Sequence, residues 1–169
     1  FDGGDQSPYD LITFAEDLDM ITSFDLSMCE RIIEAVKEDD SLKVAVAVNL
    51  SAKQFRQRHF TDNVRRILKQ TGLAPSALEL ELTESLLMGD EAASREILTE
   101  LKALGLGVAM DDFGPGYSSL AYLKGFPVDS LKIDRAFIRD ICENLEDRAI
   151  FSAIVDLGKA LSLNVIAEG

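Results

Sequence analysis

Five short apolar runs alternate with helical stretches, and nearly every run delivers a charged or polar side chain at its end. This pattern constrains the chain more than any other feature. The runs are Val44–Leu50 (VAVAVNL), Leu78–Leu82 (LELEL), Gly107–Met110 (GVAM), Leu131–Ile133 (LKI) and Val165–Ala167 (VIA). Thr61 reads as the cap of a helix carrying Val64, Ile67 and Leu68, which stops at Thr71-Gly72. Asp90 opens a second helix with Ile97, Leu98, Leu101 and Leu104 on one face, closed by Gly105, and a third runs through Ile150, Ile154, Leu157 and Leu161. Two further apolar stripes, Leu11, Phe14, Leu18, Ile21 and then Leu26, Cys29, Ile33, Val36, precede the first run. A repeated strand–helix unit predicts an α/β fold with a parallel sheet, either open or closed into a barrel.

The strand ends decide between the two. In order they carry Asn49, then Glu81 and Glu84, then Asp111 and Asp112, then Lys132 and Asp134, then Glu168. An open doubly wound sheet gathers ligands at one switch point and uses only two or three strand ends. Polar groups on five successive ends suit a TIM-like (β/α) barrel, in which every strand feeds one mouth. Alternation agrees: Asn49 shares its face with Ala45 and Ala47, and Asp111 shares its face with Ala109 and Gly107. Glu79 would lie beneath Glu81 on that face and needs Lys132 or a water to satisfy it. A complete barrel has eight strands in about 250 residues. The expectation is therefore an incomplete barrel with five strands over residues 1–169, unable alone to close, to resist aggregation at its open edges or to turn over substrate.

Composition narrows the chemistry. The chain has 169 residues, enough for one sizeable core, with 17 basic against 30 acidic residues and a net charge of −13. Such a surface repels DNA and RNA, and a phosphate-bearing ligand needs a local cation to bind. The two isolated cysteines, Cys29 and Cys142, fit no disulfide framework or zinc motif and suit a reducing cytoplasm. No apolar run approaches the roughly 20 residues of a membrane span.

A single acid at a strand end is commonly a solvated residue or a helix cap. Glu81, Glu84, Asp111, Asp112, Asp134 and Glu168, spread over four consecutive strand ends, form the pattern of a site. Asn49, Glu81, Asp111, Asp112 and Glu168 are all hard oxygen donors, which select magnesium or manganese over zinc or copper. The adjacent pair Asp111-Asp112 can serve two ions and clamp a phosphodiester between them, with Lys132 beside the attacking water. Lys132 reads equally as a salt-bridge partner inside the barrel. The lone His59, in the polar stretch Lys53–His59, reads as a surface residue. Asp112-Phe113-Gly114 matches a kinase metal-binding tripeptide, but no glycine-rich phosphate loop or HRD-type catalytic loop accompanies it.

The runs VNLSAKQF (48–55), LELELTES (78–85), MDDFGPGYSSLAYL (110–123), LKIDRAFI (131–138) and VIAEG (165–169) resemble the EAL-domain phosphodiesterases, and the early PYDLITFAEDLDMI (8–21) is similar to the segment before their first full repeat. The resemblance implies a TIM-like barrel that hydrolyses cyclic di-GMP to linear pGpG with two magnesium or manganese ions. It implies that Asn49, Glu81, Asp111, Asp112 and Glu168 are metal ligands, with Glu168 counted among the catalytic residues as well. By the same likeness Lys132 holds the attacking water or a substrate phosphate, Asp134 lies near that water, and Glu84 anchors the loop after the paired aspartates. That loop (Phe113, Gly114, Pro115, Gly116, Tyr117, Ser118 and Ser119) matches the family's switch segment, which links metal binding to homodimer contacts. Ser118 or Ser119 can cap the helix after it. Departures are the lack of the Glu-Ala-Leu signature and of a later glutamine-bearing strand, Pro115 where a small polar residue is usual, and Asp19 where glycine is frequent. The alternative to an enzyme is a domain of the same family that binds cyclic di-GMP or a protein without turnover.

Overall fold

The computed structural model describes residues 46–114 and 123–167. The two early stripes, Pro115 to Ser119 and Glu168 lie outside the described residues. The chain divides into two compact units. In the first, the short α1 (Ala52–Phe55) leads into α2 (Phe60–Thr71), and the rings of Phe55 and Phe60 pack with centroids 6.1 Å apart. α2 closes at Gly72 in the left-handed region, as its sequence implies. Its start differs from expectation: His59, exposed, stands at the cap position without a side-chain hydrogen bond, and Thr61 lies inside the first turn, buried. Thr61 is used for its methyl-bearing bulk on the buried stripe, so its hydroxyl does not cap.

The second unit holds the sheet. Its strands are β1 (Val46–Asn49), β2 (Leu78–Thr83), β3 (Gly107–Phe113), β4 (Ser130–Ile133) and β5 (Asn164–Ala167), all parallel and ordered β1-β2-β3-β4-β5. Sequential order with no reversal excludes the doubly wound sheet, which needs a switch point. The fold is α/β, an incomplete TIM-like barrel with five strands among the described residues.

Alternation sorts the side chains. Leu78, Leu80, Leu82, Val108, Met110, Leu131 and Ile133 make one buried apolar face. α3 (Glu84–Met88) packs on β2 and β3, α4 (Glu91–Ala103) on β3, and α5 (Leu145–Ala160) on β4 and β5. Asp90 caps α4 as expected, accepting from the Ala93 N–H at 3.1 Å. In α5 the apolar stripe is only partly used. Ile154 is buried but Ile150 is exposed, and the helix meets β5 closely at Gly158, where an added Cβ would lie 2.2 Å from a Val165 methyl. The opposite face carries small and polar residues in register, with Ala47, Glu79 and Gly107 in one row and Asn49, Glu81, Ala109, Ser130 and Asn164 in the next. β1 and β5 are more exposed than the three strands between them.

The N-terminal edge of the sheet is tied by Asp129. Its carboxylate binds Lys102 Nζ at 2.6 Å through each oxygen and accepts the Val108 N–H at 2.8 Å, while its backbone joins Val108 and Asn164. One residue at the start of β4 thus ties α4 and β3 through its side chain and β3 and β5 through its backbone. Asp129→Ala should lower unfolding free energy by about 2 kcal/mol, a charge-assisted network discounted for its partial exposure. A chemical-denaturation midpoint equal to the parent's would show that the tie contributes nothing.

Candidate active site at the strand ends

Lys132, the third residue of β4, projects onto the polar face and is buried. Its Nζ lies 2.8 Å from Glu81 Oε1 on β2 and 3.8 Å from Asp111 Oδ1 on β3, and both carboxylates are largely enclosed. The two readings of Lys132 left open by the sequence therefore merge, since it is an interior salt-bridge partner standing among the strand-end acids. Removing either partner would leave an uncompensated buried charge, which is far more costly than the pair is favourable.

The adjacent aspartates occupy a β-bulge. Met110 pairs with Leu131 and Phe113 pairs with Ile133, so Asp111 and Asp112 together oppose the single residue Lys132. β3 therefore runs to Phe113, three residues beyond the stretch expected from its apolar run. Asp112 adopts φ 52°, in the left-handed region, and its N–H donates to Asp111 Oδ1 at 2.9 Å. Aspartate is among the few residues that enter this region at modest cost. The bulge breaks strict alternation exactly where two neighbouring carboxylates are wanted at one edge.

Of the other predicted residues, those within the described part of the chain sit at or next to the same strand ends. Asn49 pairs with Glu81 in register, and Leu50 N–H donates to the Glu81 carbonyl at 2.9 Å. Glu84 opens α3 and is buried at the end of β2. Asp134 follows β4 directly and caps the Arg135–Phe137 turn, accepting from Ala136 N–H at 2.7 Å. Phe113 is buried and Gly114 has φ 139°. Glu79 has a partner that the sequence did not suggest: the hydroxyl of Ser130 donates to it at 3.2 Å. Ser130 was missed, although it lies two residues before Lys132 and so on the same face; the alternation that placed Glu79 would have found it.

Among the described residues, no three His, Cys, Asp or Glu side chains converge closely enough to hold a metal ion. The donor chemistry nonetheless fits a hard cation. Glu81, Asp111 and Asp112 are all carboxylates, Asn49 adds an amide oxygen, and one lysine cannot neutralise three acids. Among the same residues no helix is long and apolar enough to cross a membrane.

A sequential parallel sheet with carboxylates at its C-terminal edge defines a barrel-type α/β protein with an acidic strand-end edge. The chain belongs to the EAL domain family, whose profile matches residues 2–169. It is 52% identical over 124 residues to the bifunctional diguanylate cyclase/cyclic di-GMP phosphodiesterase MucR of Pseudomonas aeruginosa, covering 73% of this chain and 18% of that protein. The chain thus spans less than a fifth of that relative's length. In structure it is similar to a PaMucR phosphodiesterase in complex with c-di-GMP, with a TM-score of 0.86 and 42% identity over 96% of this chain and 67% of that one. It is also similar to BlrP1 of Klebsiella pneumoniae in a manganese and cyclic di-GMP complex, with a TM-score of 0.78 and 29% identity over 88% of this chain and 38% of that one.

In the metal-free protein, Lys132→Met should cost about 3–5 kcal/mol of stability, because Glu81 and Asp111 lose their buried counter-ion. Urea unfolding followed by circular dichroism in chelator measures this, and a loss below 1 kcal/mol would show that water already compensates the acids.

Proposed function

We propose that the domain hydrolyses cyclic di-GMP to linear pGpG. The observation that carries this reading is the bulge that sets Asp111 and Asp112 against Lys132, beside Glu81, in a chain of the EAL family. The relatives support it: MucR is named a cyclic di-GMP phosphodiesterase, and its solved phosphodiesterase carries the nucleotide.

Asn49, Glu81, Asp111, Asp112 and Glu168 are the residues that would hold two magnesium or manganese ions. When bound, the ions supply the positive charge that lets so acidic an edge accept a phosphodiester, and they favour deprotonation of water. The chain's own residues do the rest. Lys132 gives up part of its pairing with Glu81 and Asp111 to hold the attacking water or a phosphate oxygen. As water adds to phosphorus and the P–O ester bond breaks, its ammonium offsets charge accumulating on the phosphoryl oxygens. Asp134 spends one oxygen on its capping bond and uses its other lone pairs to orient the water. Glu84 anchors the loop running from Phe113 to Ser119, which also serves as a homodimer contact.

Hydrolysis by the full-length protein should require a divalent ion and be abolished by chelator. Asp111→Asn should reduce kcat by several orders of magnitude, since it removes a carboxylate from the set that would hold the ions. Undiminished turnover by that variant or in chelator would overturn the two-metal reading, and tight nucleotide binding without turnover in the parent protein would make the domain a receptor. Lys132→Ala should lower kcat about a hundredfold, with nucleotide affinity less affected, as for loss of one preorganised charge. Normal kcat with a large rise in KM would assign the lysine to ground-state binding alone.

A further inference from the structure

The bulge at Asp111-Asp112 needs something to hold it. A non-glycine residue in the left-handed region costs about 1–2 kcal/mol, and such conformations persist only where surrounding contacts over-determine them. On the β2 side Asp111 is fixed by its register with Thr83, and on the β4 side Phe113 is fixed by its register with Ile133. The next residue, Gly114, has φ 139°, and a Cβ built there would lie 2.1 Å from Cε2 and 2.8 Å from Cδ2 of Phe137. The ring therefore rests on the Gly114 backbone at a distance that only glycine permits.

Phe137 itself is held firmly. It closes the Arg135–Phe137 turn, its N–H donates to the Asp134 carbonyl at 3.1 Å, and Asp134 caps the turn through Ala136 N–H. Asp134 N–H in turn donates to the Phe113 carbonyl at 3.3 Å. The turn after β4 thus grips the end of β3 twice, once by a backbone hydrogen bond and once by an aromatic ring. Both grips fall immediately after the two aspartates.

We propose that Phe137 is a positioning residue, a wedge on Gly114 that keeps the β3 bulge presenting Asp111 and Asp112 together at the strand-end edge. The inference rests on the reading of these aspartates as metal ligands. Phe137 touches neither substrate nor ion in this scheme. It acts on affinity for the ion through backbone geometry, as residues behind a metal ligand do, where loss typically costs about 10–100-fold.

The test is Mn2+ binding to the full-length protein, read by electron paramagnetic resonance without substrate, for the parent, Phe137→Ala and Phe137→Leu, each with a thermal melt. Folded Phe137→Ala should bind Mn2+ about tenfold or more weakly, with Phe137→Leu between it and the parent. The Mg2+ concentration for half-maximal hydrolysis should rise in parallel, while KM for cyclic di-GMP at saturating Mg2+ stays near the parent value. A ring that serves stability alone would lower the melting temperature and leave Mn2+ affinity unchanged, and that result overturns the proposal. If Phe137→Ala does not fold, the same criterion applies to Phe137→Leu. A parent protein with no Mn2+ binding would sink the metal reading and the wedge together, whereas tight binding in both parent and variants sinks the wedge alone.

Discussion

The buried ammonium of Lys132 is the interaction on which the strand-end edge depends. It contacts Glu81 at 2.8 Å and Asp111 at 3.8 Å, and the bulge brings Asp112 opposite it as well. Two enclosed carboxylates, Glu81 and Asp111, face one ammonium and exceed it by one negative charge, while Asp112 is exposed to water. Water cannot screen that excess well where Lys132 and Glu81 are both buried. The arrangement is therefore stable enough to fold but remains electrostatically unsaturated.

The bulge resolves a conflict between charge and alternation. In a regular strand Asp112 would share its face with Val108 and Met110, both essentially inaccessible to solvent on the helix-covered side. A carboxylate placed there would cost several kcal/mol, more than the 1–2 kcal/mol of a left-handed aspartate. The extra residue also returns Phe113 to the apolar layer, where it pairs with Ile133 and is buried. In a regular strand that ring would face the acidic edge instead. One backbone irregularity thus removes a buried charge from the core and an exposed aromatic from the site.

Much of this was legible in the sequence because it depends on local pattern. The strand–helix repeat, the Asp90 cap, the αL closure at Gly72 and the sharing of one face by Glu79, Glu81 and Lys132 follow from spacing alone. The bulge was not legible, because a register shift is a relation between two strands and leaves no mark in either one. For the same reason Ser130 is not evident as a partner of Glu79: the register, which sets Ser130 level with Ala109 and Ala109 level with Glu81, decides that its hydroxyl reaches the acid. His59 in place of Thr61 at the start of α2 is a two-residue ambiguity between a hydroxyl that caps and one whose residue packs. Ile150 belongs to the stripe that periodicity marks yet is exposed, and the close approach of α5 to β5 at Gly158 is likewise invisible to an apolar count.

The two edges of the sheet carry opposite kinds of electrostatics. At the N-terminal edge Asp129 is fully engaged, with Lys102, the Val108 N–H and the neighbouring backbone all satisfied in one network. At the C-terminal edge the acids outnumber their cation and the backbone is strained at Asp112. A sheet could not keep both edges in the second condition, since repulsion and left-handed strain are tolerated only when packing elsewhere holds the register. The apolar layer of Leu80, Val108, Leu131 and their neighbours, together with the Asp129 tie, supplies that hold. Binding chemistry can then be concentrated where the strands end, because the fold is already fixed where they begin.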